Sequence, residues 1–148
     1  SSFCIGVAGY PEKHFEAPNK QVDMEHLKMK VDAGAHYIVT QMFFNNEHFY
    51  RFRNECREAG IDVPIIPGLK PISALNDINL LPQTFHVEIP NELVNVLKKC
   101  KTDEEARETG IDWATMQSKD LIKNGVPGIH YYTLGRSDNI ARIVKASF

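Results

Sequence analysis

The sequence predicts an α/β fold in which parallel strands alternate with helices, and three observations carry that expectation. First, a helical stretch that closes on a small-residue turn opens into a β-branched or aromatic run three times. MEHLKMKVDAGA leads into HYIVTQMFF, FYRFRNECREAGID into VPIIPGL, and MQSKDLIKNGVPG into IHYYTL. Second, Gly34, Gly60 and Gly125 stand where each helix needs a left-handed C-terminal residue, a conformation glycine adopts without strain. Third, the strands are apolar throughout instead of alternating, as strands covered on both faces by crossover helices are. With FCIGVAGYP as a further strand, four strands alternate with helices. That pattern leaves a doubly wound sheet or part of an α/β barrel.

Each element can be placed in turn. FCIGVAGYP follows Ser1-Ser2 directly, with neither an initiator Met nor a preceding helix, so the chain is expected to be a piece of something longer. Asp23 is expected to cap the first helix, and Ser73 to cap ALNDINLL. PQTF reads as a turn, HVEIP as a short extended piece and NELVNVLKKC as a helix. Thr102 with Glu105 forms a capping box for the long helix that ends at Gly125, and Ser137 is placed to cap DNIARIVKASF. No linker or low-complexity tract interrupts residues 1–148, which read as one segment without an internal boundary.

Composition narrows the function. Of 148 residues, 43% are hydrophobic and 24% charged, the balance of a folded domain able to bury a core. A net charge of −2 gives no electrostatic reason to expect nucleic acid or an anionic membrane as partner. Cys4, Cys56 and Cys100 are odd in number and share no C-x-x-C spacing, which argues against disulfides and a zinc site and fits a reducing cytoplasm. No apolar run approaches the roughly 20 residues of a membrane helix. The chain holds no G-x-G-x-x-G, Walker lysine, H-E-x-x-H or G-x-S-x-G, so a nucleotide loop, metal hydrolysis and covalent hydrolase chemistry have little support.

In parallel α/β folds the chemistry collects at the carboxyl ends of the strands. Those ends are polar here: Gly9-Tyr10-Pro11-Glu12 with His14, then Thr40-Gln41, then Pro67-Gly68-Leu69-Lys70-Pro71, then Tyr132-Thr133-Leu134-Gly135-Arg136. Gln41 lies inside an otherwise apolar run, where an unpartnered amide costs about 1–3 kcal/mol. It therefore needs an internal hydrogen bond or a ligand.

VAGYPEKH, KMKVDAGAHYIVTQMFF, AGIDVPIIPGLKPIS and HYYTLGR, in this order and near this spacing, resemble the carboxyl-terminal half of the catalytic barrel of the methylenetetrahydrofolate reductase family. The resemblance runs from Phe3 onward, and its A-x-Y-P-E-x-H and T-Q-x-F-F blocks are the specific part. It implies half of a TIM-type (β/α)8 barrel, strands five to eight. It also implies FAD-dependent reduction of 5,10-methylenetetrahydrofolate to 5-methyltetrahydrofolate with NADH or NADPH. A cytoplasmic enzyme and a homo-oligomer are expected.

Residue by residue, the resemblance gives FAD contacts to Tyr10, His14, Ala17, Asp23, His26, Met29 and Lys30. Cationic side chains near a helix N-terminus suit a pyrophosphate, and an acidic one suits hydroxyls. Gln41 matches a glutamine that positions folate and nicotinamide in turn, for which an amide that both donates and accepts is suited. Arg136 matches an arginine near folate, where a guanidinium can grip a carboxylate. Asp77 stands where several relatives carry a substrate-contacting glutamine, and Leu81 where an aromatic occurs. The family's general acid, a glutamate near the first barrel strand, falls outside this chain, and Glu12 does not replace it. Two other readings remain at this point: another barrel enzyme acting on a phosphorylated small molecule, and a non-catalytic half-barrel that associates through open strand edges.

Overall fold

A computed structural model describes residues 2–134 and 136–148. Four strands form one parallel sheet in sequence order: β1 (Gly6–Gly9), β2 (Tyr37–Met42), β3 (Ile65–Leu69) and β4 (His130–Tyr131). Helices α1 (Lys20–Asp32) and α2 (Asn46–Glu58) make the first two crossovers. α3 (Asp77–Phe85), α4 (Asn91–Lys99) and α5 (Asp103–Lys123) separate β3 from β4, and α6 (Asp138–Ser147) follows.

Helix ends obey local rules that the sequence displays. Gly34, Gly60 and Gly125 have φ of 116°, 80° and 76°, the left-handed backbone expected of them. The Thr102 hydroxyl accepts the Glu105 N–H at 3.2 Å, while the Glu105 carboxylate reaches back to the Lys101 N–H at 2.6 Å. Other caps differ from expectation. α1 starts earlier, because extended Asn19 takes the Val22 N–H at 2.9 Å, and Asp23 sits inside the helix. Ser137 precedes α6 but makes no side-chain cap, since its own backbone is already helical (φ −98°, ψ −16°). Ser73 does not cap α3. Its N–H and hydroxyl instead donate to Asp77 Oδ2 at 2.8 and 3.3 Å. PQTF is helical, not a turn: α3 continues through Pro82 and closes on left-handed His86, whose N–H returns to the Pro82 oxygen at 3.0 Å. Residues 86–90 join no strand.

Three of the helices share one face of the sheet. Ile38, Ile65 and Leu69 pack in a single cluster with Leu27 of α1, Phe49, Phe52 and Cys56 of α2 and Leu121 of α5. The opposite face is only partly covered: along β2, Ile38, Thr40 and Met42 are buried while Tyr37, Val39 and Gln41 are half-buried. Full cover on both faces, expected from the unbroken apolar runs, is thus not what β2 shows. Sequential strand order with helices on one face is consistent with a segment of barrel wall, whereas a doubly wound sheet carries helices on both faces. A second cluster, with Ile72, Leu81, Val87, Leu93, Leu97 and Ala106, fixes α3 and α4 over the end of the sheet. Among the described residues no helix is long and apolar enough to cross a membrane.

Candidate functional site

Two cavities of about 360 Å³ each open at the carboxyl ends of the strands. The first lies where β1 runs into α1, against α2. Its wall includes Tyr10, His14, Ala17, Asp23, His26 and Lys30, six of the seven residues that the sequence resemblance assigns to FAD. Asp23, His26 and Lys30 are spaced three and four apart, which puts them on one stripe of α1. Met29 falls off that stripe; it is 67% exposed and does not line the cavity.

The loop between β1 and α1 is held from within. Asp23 Oδ2 accepts the His14 N–H at 3.0 Å, and Lys13, itself at φ 102°, donates Nζ to the His14 and Ala17 oxygens at 2.9 and 2.5 Å. Tyr10, His14, Phe15 and His86 form a run of ring contacts at 4.5, 5.1 and 4.4 Å between centroids. These bonds consume Asp23 and Lys13. They leave the side chains of Lys20, His26 and Lys30 without a hydrogen bond or ion pair among the described residues, two ammonium groups and an imidazole with donors to offer an anion.

A cluster outside this wall resolves on its hydrogens. Glu12, His48 and Glu88 each place one potential metal-ligating atom within 4.8 Å of the others. Arg51 Nη2 stands 3.1 Å from His48 Nδ1, and a guanidinium can only donate, so Nδ1 accepts and Nε2 carries the ring hydrogen. Nε2 then donates to Glu88 Oε2 at 3.3 Å and offers no lone pair to a cation. The Glu12 carboxylate accepts the Glu88 N–H at 2.8 Å through Oε1, while its buried Oε2 has no hydrogen-bond partner among the described residues. Burial pushes the Glu12 carboxyl above its ordinary range. The trio thus clasps the β1–α1 loop to residues 86–90 and α2.

The second cavity lies between the ends of β3 and β4, α3 and the start of α6. Lys70, Asp77, Leu81, Phe85, Tyr132 and Arg136 are in its wall. Arg136 is exposed, and its guanidinium has no hydrogen bond or ion pair among the described residues. Asp77 is different: its Oδ2 already accepts Ser73 N–H, Ala74 N–H and Ser73 O–H at 2.8, 3.2 and 3.3 Å, so the carboxylate shapes the β3–α3 loop. The sequence shows Lys70 as part of the polar end of the third strand but gives it no role. Only its burial, at 8% exposure, marks it out, and that depends on α3 folding across the strand end.

Gln41 lines neither cavity. Its Oε1 accepts the Met42 N–H at 3.0 Å, while its amide hydrogens have no partner among the described residues. It sits in a register shift between β2 and β3, where the Gly68 N–H turns to Thr40 Oγ1 at 2.9 Å. Such irregularities re-aim a side chain. Burial of Cys56 pushes its thiol up to about 12, leaving it a core residue and not a nucleophile.

Comparison with known proteins adds identity to this geometry. The family model described as methylenetetrahydrofolate reductase matches residues 1–147. The chain is 40% identical over 146 residues to a Caenorhabditis elegans protein named probable methylenetetrahydrofolate reductase (NADPH), covering 97% of this chain and 22% of that protein. It is 41% identical over 139 residues to 5,10-methylenetetrahydrofolate reductase of Salmonella typhimurium, covering 93% and 47%. The chain therefore spans less than half the length of these relatives. A solved structure from Clostridium thermocellum, described as an uncharacterized protein that binds two copies of 5-methyl-5,6,7,8-tetrahydrofolic acid, superposes with a TM-score of 0.61 at 20% identity. It covers 97% of this chain and 52% of that one, and at this identity it speaks for the fold alone.

Proposed function

The chain belongs to the methylenetetrahydrofolate reductase family, and from that membership we propose that it supplies strands five to eight of a barrel that reduces 5,10-methylenetetrahydrofolate to 5-methyltetrahydrofolate. In this reading FAD relays hydride from NADH or NADPH to the folate. One observation carries it: six of the seven residues expected at the cofactor converge on one cavity, with the side chains of Lys20, His26 and Lys30 uncommitted in its wall.

Those residues fit the group. Lys20 and Lys30 can neutralise a pyrophosphate and the His26 ring can donate to it, Tyr10 and the His14 ring offer a flat wall, and Ala17, 8% exposed, leaves room at the loop. Asp23 acts on the site indirectly, holding the His14 main chain in place. Gln41 presents unpartnered amide hydrogens near the end of β2, where they can donate to a ring carbonyl of folate or nicotinamide. Arg136, uncommitted at the mouth of the second cavity, can take a folate carboxylate. The general acid lies on a part of the enzyme beyond these residues.

β1 and β4 end the sheet on either side, and further strands of the same enzyme or a second copy can pair there. A homo-oligomeric cytoplasmic enzyme fits this reading. The test is methylenetetrahydrofolate-dependent oxidation of NADH and NADPH, assayed with added FAD on the full-length protein and on residues 1–148 alone. The reading expects turnover from the former and none from the latter. Absence of turnover in the full-length protein, or measurable turnover by residues 1–148 alone, would contradict it.

A further inference from the structure

Asp77, Leu81 and Arg136 of the second cavity have counterparts in the family resemblance, whereas Lys70 beside them has none. Lys70 leaves the carboxyl end of β3 at 8% exposure, and its ammonium has three hydrogens to place. One finds the Pro71 oxygen at 3.2 Å. Asp77 Oδ2, the nearest carboxylate oxygen, stands 4.0 Å away and already accepts three loop donors. Burial pushes the Lys70 ammonium below its usual range, with Asp77 offsetting part of the effect. A buried cation with unfilled donors is costly unless something completes its shell.

The rest of the wall indicates what that is. Arg136 is uncommitted, so two cations face one carboxylate already spent on the loop, and the cavity carries a surplus positive charge. Leu80, Leu81, Phe85 and Leu134 supply apolar surface between them, enough for a flat ring. We propose that Lys70 is an anion-binding residue of this cavity, donating to a carboxylate oxygen of an aromatic acid whose ring lies against Leu81, Phe85 and Leu134. For the folate substrate in particular, the inference rests on the reductase reading above. It makes Lys70 with Arg136 a determinant of how strongly the acid end of the substrate is held.

Two probes separate the inference from that reading: p-aminobenzoylglutamate, which carries the aromatic amide and carboxylates of folate, and terephthalate, an aromatic diacid with no folate chemistry. Each is titrated calorimetrically into the wild-type protein, Lys70→Met and Lys70→Arg. Lys70→Met should bind both acids about tenfold more weakly, the loss of one charge-assisted hydrogen bond. Lys70→Arg should recover part of that loss. Methionine keeps the length of the side chain and removes the buried charge, so Lys70→Met should unfold at no lower a urea concentration than wild type. A structural lysine would move that midpoint down. If terephthalate binding depends on Lys70 while p-aminobenzoylglutamate does not bind, the inference stands and the folate reading falls. If p-aminobenzoylglutamate binds the folded Lys70→Met protein as tightly as wild type, the inference is overturned and the folate reading survives. Failure of both acids to bind wild type overturns the inference as well.

Discussion

Tyr132, one residue beyond β4, donates its hydroxyl to the main-chain oxygen of Thr40 in β2 at 2.8 Å, reaching across β3. The bond exists because the β2–β3 ladder shifts register between Val39 and Met42: the Gly68 N–H goes to the Thr40 hydroxyl, and the Thr40 oxygen is taken by Tyr132. A Cβ on Gly68 would lie 2.3 Å from that oxygen and 2.7 Å from the Tyr132 ring.

Gly68→Ala should therefore destabilise the protein by about 1–3 kcal/mol, because the atom it meets is main chain and cannot rotate away. Tyr132→Phe, which only leaves the Thr40 oxygen unpaired, should cost about 1 kcal/mol. Urea midpoints rank the two. An alanine at position 68 with wild-type stability would show that β2 and β3 pair without the shift.

Gln41→Leu should leave the urea midpoint nearly unchanged, since its one internal bond is to the adjacent Met42 N–H. In the full-length protein it should slow both reduction by the nicotinamide and reoxidation by the folate, read separately by stopped flow. A fall in stability with both rates intact would make Gln41 a packing residue only.

Glu12 gives a pH dependence whose sign can be worked out. Its carboxyl is raised above the ordinary 4.5, chiefly by burial; the Glu88 N–H, His48 and Arg51 pull it down, and Glu88 adds to the rise. A raised carboxyl binds its proton more tightly folded than unfolded, so its contribution to stability is greatest at acid pH. That contribution is lost as pH climbs from 4.5 through the folded value. Glu12→Gln removes the titration. The variant should gain stability relative to wild type as pH rises through that window, and the difference should vanish at acid pH. A difference that is flat with pH would show that Glu12 is not buried as described.

What could be read from the sequence was what depends on nearby residues. Gly34, Gly60 and Gly125 announce three helix ends because a left-handed backbone is a local demand. The residues of the first cavity were named by the family resemblance and not by spacing; that six of them share one wall follows from chain proximity, Tyr10, His14 and Ala17 lying on one loop and Asp23, His26 and Lys30 on one helix stripe. Met29 breaks the pattern by a single step of helical rotation. Asp23 was misread as a cap because Asn19, four residues earlier, has the extended backbone that capping needs. Lys70 and Asp77 were visible as residues, but their burial and bonding were not, since these come from α3 packing over β3, a contact no spacing reveals.

The central claim, that the β1–α1 cavity holds FAD, is tested most directly by the dissociation constant of FAD measured by flavin fluorescence in the full-length protein and its Lys30→Ala and Met29→Ala variants. The proposed FAD site predicts about tenfold or greater weakening for Lys30→Ala, from loss of a charge-assisted contact to phosphate, with Met29→Ala at wild-type affinity. Unchanged affinity in Lys30→Ala, or flavin-free wild-type protein that does not take up FAD, would contradict it.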